Sequence, residues 1–147
     1  MVRGTTCKVA IVEGEAITDI PEEDTEGRKV TIKTSTPEET VEKITEWLKD
    51  KSFSTLGMIA FGPLCLNKDE PKFLLSFSWY KFRYGYVTST PKLLWQDFDL
   101  RGNIISKLKE KTGRDYSIPI ETDVNGCAYL EYSNYGGHGY LLLINIT

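Results

Sequence analysis

The stretch Ile120-Glu121-Thr122-Asp123-Val124-Asn125-Gly126 places an ionisable side chain where a strand-like run stops and a helix-like run begins. A carboxylate there can cap the helix that follows, or it can orient a hydroxyl and accept its proton as a general base. Spacing alone leaves both open. Three other stretches at the predicted ends of strands share a chemistry of glycine, proline and hydroxyl groups: Gly4-Thr5-Thr6, Phe61-Gly62-Pro63 and Thr88-Ser89-Thr90-Pro91-Lys92. Such residues let backbone approach a ligand closely, and in α/β domains ligands gather at the carboxyl ends of strands. Each also has a plain reading: a hairpin turn, a strand stop, a solvated lysine.

The elements that must position these residues are legible from periodicity. Residues 7–14 read as a strand closing at Gly14, and 29–34 alternate as a half-buried strand. Between them lies an acidic loop. Thr36-Pro37-Glu38-Glu39 then opens a helix: an N-cap, a proline suited to the first turn and the glutamate of a capping box. Val41, Ile44 and Trp47 or Leu48 give that helix one apolar face, with Lys49 and Lys51 suited to its C-terminal end. Residues 55–63 form a nearly continuous apolar run ended by Gly62-Pro63, as expected of a strand buried on both faces. A second helix starts near Asp99, lined by Leu100, Ile104, Ile105 and Leu108 and stopped by Gly113. A strand over 116–122, a helix from Asn125 and a final strand over 140–147 complete the series. This interleaving predicts an α/β domain with helices on a mixed or parallel sheet.

At 147 residues the chain has one domain's worth of length. A net charge of -3 argues against a nucleic-acid or anionic-membrane surface. No apolar run approaches the ~20 residues that cross a bilayer. Cys7, Cys65 and Cys127 are odd in number and widely spaced, so they predict reduced core side chains in a cytoplasmic protein rather than a disulfide framework or zinc site. Residues 74–84 hold five aromatics in eleven positions, expected to lie on the sheet. Within and just after them, Arg83-Tyr84-Gly85-Tyr86-Val87 faintly echoes the aromatic motif by which RNA-recognition domains stack bases.

Taken in order, "GTTCKVAIVEG", "TSTPEETVEKITEWLKD", "LGMIAFGPLCLNKDEPKF", "GYVTSTPKLLWQDFDL" and "IPIETDVNGCAYLEYSNYGGHGY" cover most of the chain. In these blocks the sequence resembles the sugar kinases of the ROK family (repressor, open reading frame, kinase), and most of all its fructokinase-like branch.

The resemblance implies an α/β fold, the RNase H-like N-terminal lobe of the actin/hexokinase ATPase superfamily, spanning 1–147 as a single unit with 74–84 as an insert. It implies ATP-dependent phosphorylation of a hexose, fructose favoured, with ATP and Mg²⁺ required and no zinc site in this chain. It makes Asp123 the catalytic base. Gly62, Pro63, Thr90, Lys92, Thr122 and Asn125 fall on the sugar side, and Gly4, Thr5 and Thr6 on the first phosphate hairpin. Trp95 is expected to pack rather than touch ligand, and His138 is given no role. Relatives begin with a further acidic strand and continue into a second phosphate loop, so a truncated product is expected. Its alternative function is a non-catalytic sugar-binding or interaction lobe, alone, as a homo-oligomer or paired with a full-length subunit.

Overall fold

The computed structural model describes residues 6–11, 27–53, 56–66, 83–123 and 145–146. Five strands form one mixed sheet: β1 (Thr6–Ala10), β2 (Lys29–Lys33), β3 (Met58–Ala60), β4 (Ile120–Thr122) and β5 (Asn145–Ile146), in the spatial order β2-β1-β5-β3-β4. The last strand in sequence sits in the middle. It runs antiparallel to β1 and parallel to β3, and so joins the β1–β2 hairpin pair to the parallel β3–β4 pair.

Two strands are shorter than their apolar runs predict. Leu56 to Phe61 are all buried, yet only Met58–Ala60 pair. The predicted strand over 116–122 is cut to Ile120–Thr122. Pro119 carries no N–H, so it gives its carbonyl to Met58 (2.9 Å) but cannot extend the ladder as a donor. Strand 7–14 is found over Thr6–Ala10, with residues 12–14 outside the described residues. The helix expected from Asn125, and most of the final strand, also lie outside them.

Helix α1 (Pro37–Leu48) forms where its signals predict. The Thr36 hydroxyl accepts from the Glu39 amide (3.3 Å). The reciprocal half of the capping box is altered: the Glu39 carboxylate accepts from the Ser35 hydroxyl (2.6 Å). Val41, Ile44 and Leu48 are buried, whereas Trp47 is half-buried with the Lys51 ammonium 4.7 Å from its ring centroid. Thr45, buried among them, returns its hydroxyl to the Val41 carbonyl (2.9 Å).

Helix α2 (Leu100–Thr112) is capped by the Asp99 carboxylate, which accepts from the Gly102 amide (2.9 Å). Gly113 ends it at φ 71°, a left-handed turn that leaves its N–H on the Lys109 carbonyl. Leu100, Ile104 and Leu108, one turn apart, are fully buried and contribute about 1.5–3 kcal/mol each. Together α1, α2 and the sheet enclose one core that includes Cys7, Val9, Ile44, Met58, Ile104 and Ile120. Cys7 and Cys65 are free, buried thiols, and burial pushes Cys7 up to about 12; Cys127 lies outside the described residues.

The two helices are stitched at the surface. Glu42 of α1 meets Lys107 (2.8 Å) and Lys111 (2.5 Å) of α2, and Lys111 also reaches Glu46 (2.7 Å). Hydrogen bonds from Lys107 and then Lys111 bring the Glu42 carboxyl down from its ordinary 4.5 to about 2. A lowered folded pKa means that the folded state releases its proton first, so this contribution is complete above pH 4.5 and lost as pH falls toward 2. Urea unfolding across that window is expected to show a pH slope that Glu42→Gln reduces.

Gly85 is held at φ 88°, and a Cβ there would stand 2.3 Å from Cβ of Arg101. That close approach lets Arg101 put its Nε–H on the Ile118 carbonyl (2.6 Å) and its guanidinium over the Tyr84 ring. Gly85→Ala combines a disfavoured φ with a clash against the Arg101 side chain. It is expected to lower the free energy of unfolding by about 2–4 kcal/mol, read from the urea midpoint at constant slope.

Candidate functional site

The site is built by strand register. In the parallel β3–β4 ladder Met58 faces Ile120, Ile59 faces Glu121 and Ala60 faces Thr122. The next residues on each strand are Phe61 and Asp123, so they leave neighbouring strands at the same carboxyl end. Gly62 follows directly, and the Thr122 methyl lies 3.7 Å from where a Cβ would stand, an ordinary van der Waals distance. The Gly62–Pro63 peptide is cis.

The segment from Thr88 to Trp95 is tied to that end by hydrogen bonds. The Pro63 carbonyl accepts from both the amide (2.9 Å) and the hydroxyl (3.0 Å) of Thr88. Thr90 is buried, and its hydroxyl accepts from the Lys92 amide (3.3 Å). A 3-10 turn, Leu93–Trp95, closes with the Trp95 amide on the Lys92 carbonyl (2.8 Å). Trp95 is buried as packing, edge-on to Phe61 and to Phe98, with its indole N–H on the Ser35 carbonyl (3.3 Å).

Lys92 folds back over the site, with its ammonium 4.1 Å from the centroid of the Phe61 ring. Burial lowers the Lys92 pKa, and the negative charge of Asp123 acts in the opposite direction. The half-buried ammonium therefore feels the half-buried carboxylate. A donor and an acceptor of opposite charge thus act on each other at this end of the sheet.

Of the residues singled out in the sequence, the structure brings together Gly62, Pro63, Thr90, Lys92, Thr122 and Asp123. Thr6 lies at the same end of the sheet. β1 is antiparallel to β5 and β5 parallel to β3, so Cys7, Ile146, Ala60 and Thr122 share one row and Thr6 falls just beyond it. Three inter-strand spacings put Thr6 about 14 Å from the β4 position of Asp123. Gly4, Thr5 and Asn125 lie outside the described residues. Phe61 was not singled out as functional. Its only signal was an aromatic directly after a buried strand and before Gly-Pro, which reads as core.

Three features lie apart from this cluster. A cavity of about 570 Å³ lined by Tyr84, Arg101, Ser117 and Ile118 opens toward the start of β4, and none of its lining residues belongs to the cluster. Tyr86 is 4% exposed and Val87 is fully buried, which removes the stacking surface that the Arg83–Val87 echo would need. Among the described residues no group of three His, Cys, Asp or Glu side chains could hold a metal ion, and no helix is long and apolar enough to cross a membrane.

No family model matches the chain. It is 36% identical over 109 residues to a fructokinase of Lactococcus lactis subsp. cremoris, covering 74% of this chain and 32% of that protein. Against a fructokinase of Zymomonas mobilis the identity is 37% over 106 residues, covering 68% and 30%. With that of Pediococcus pentosaceus it is 33% over 105 residues, covering 70% and 30%. The chain is thus similar in sequence to fructokinases over about 70% of its own length. The chain spans about a third of the length of these curated relatives.

Lys92 provides a direct check on the cluster. In carbon-13 NMR titrations its side chain is expected to lose its proton at lower pH than the exposed lysines. Asp123→Asn removes the opposing charge and is expected to lower that midpoint further. A Lys92 midpoint unchanged by Asp123→Asn would show that the two charges do not interact.

Proposed function

We propose that the chain carries the sugar side of an ATP-dependent hexose kinase, with fructose as the favoured substrate and Asp123 as the general base. The observation that supports this most is the convergence of Gly62, Thr90, Lys92 and Asp123 at the carboxyl end of two parallel strands in register. The likeness to fructokinases supplies the reaction class.

On this reading Asp123 accepts the hydrogen bond of the attacking sugar hydroxyl. As the new O–P bond forms, its proton passes to the carboxylate; the bond between the β and γ phosphates breaks and ADP leaves. Lys92 donates to a neighbouring sugar oxygen, and the Gly62-Pro63 loop and Thr122 bound the pocket. Gly4, Thr5 and Thr6 are assigned to the phosphates of ATP·Mg²⁺, the co-substrate, and Asn125 to support of the base. We read residues 1–147 as one RNase H-like lobe of cytoplasmic, ROK-type architecture, with 74–84 as an insert.

The test is ATP-coupled phosphorylation of fructose, glucose and mannose by the purified chain beside Asp123→Ala. Turnover that falls at least about 100-fold on that substitution supports the base. Turnover unaffected by it would overturn the assignment. Hexose binding with no phosphoryl transfer in either protein would instead favour a non-catalytic sugar-binding lobe.

A further inference from the structure

The 3-10 turn that carries Lys92 closes on Phe61 from two sides. Trp95 meets the Phe61 ring edge-on, with centroids 5.4 Å apart and an interplanar angle of 74°. Three residues earlier in the same turn, Lys92 lays its ammonium 4.1 Å from the ring centroid. The ring itself is fixed: Phe61 is buried, it directly follows β3, and Trp95 is anchored by its hydrogen bond to Ser35. An ammonium over an aromatic face is held by the ring quadrupole, and the hold strengthens as water is removed. A lysine stem has several rotatable bonds, so without such a seat its charge would be spread over many positions.

We propose that Phe61 is a positioning residue whose ring seats the Lys92 ammonium beside Asp123, so that the sugar site presents a preset donor–acceptor pair. The role of that pair toward a hexose rests on the reading given above, whereas the seat itself does not. Phe61 touches no reacting atom on this account. It acts through Lys92 by reducing the freedom lost when the ammonium meets a sugar oxygen.

The seat is measurable without turnover. Protons above an aromatic face are displaced upfield, so the Lys92 ε-methylene is the probe, in carbon-13-lysine-labelled full chain, with assignment by Lys92→Arg. The Lys92 signal is expected upfield of the other lysines in the wild type and in Phe61→Tyr, which keeps the ring. In Phe61→Leu it is expected to rejoin them. Fructose titrated into the same samples is expected to bind about three- to ten-fold more weakly to Phe61→Leu and within about two-fold of wild type to Phe61→Tyr. Methyl signals of Ile44 and Ile104, deep in the core, report that each variant is folded.

A Lys92 signal that is the same in the wild type and Phe61→Leu would overturn the seat. A lost displacement with unchanged fructose affinity would overturn its role in positioning. A displacement that depends on Phe61, with no response to any hexose in any protein, would uphold the seat and overturn the hexose reading instead.

Discussion

Everything at the candidate site hangs on the parallel pairing of β3 with β4. Side chains alternate between the faces of a sheet, so a one-residue slip would turn Ile120 of β4 outward and its half-buried neighbour Glu121 into the core. Met58, Ile59 and Ala60 are all buried, and Ile120 is buried opposite Met58. Ladder and core therefore specify the same register. That register, and no local feature of either segment, places Phe61 and Asp123 side by side.

The helical layer makes the pairing durable. α1 and α2 press Val41, Ile44, Leu48, Leu100, Ile104 and Leu108 into the core with the sheet, and fixed, well-packed strands are what a precise constellation needs. Trp95 extends this rigidity to the site. Its indole is bonded to a carbonyl 60 residues away, just before α1, and its ring braces Phe61. The segment that bears Thr90 and Lys92 is thus anchored to the helical layer at one end and to the Pro63 carbonyl at the other.

The electrostatics follow from partial burial. A surface lysine and aspartate would be screened by water and salt. Here the Lys92 charge is partly desolvated against Phe61, which lowers its pKa, while Asp123 opposes that shift. The likeness to fructokinases extends over about 70% of the chain and adds no geometry of its own.

The sequence by itself determined the elements whose signals are local. Thr36-Pro37 and the Val41, Ile44, Leu48 spacing specify α1, and Asp99 and Gly113 bracket α2, because capping groups and a 3.6-residue period act within a few residues. It also marked Gly62, Lys92 and Asp123 by residue type and place. Strand lengths were less legible, because an apolar run records burial, while Pro119 limits where β4 can pair. Only the tertiary structure set the order β2-β1-β5-β3-β4, with the last strand at the centre, and laid Lys92 across Phe61. Those arrangements join residues far apart in the chain, and the free energy that selects them comes from packing and hydrogen bonds that exist only once the sheet and core have formed.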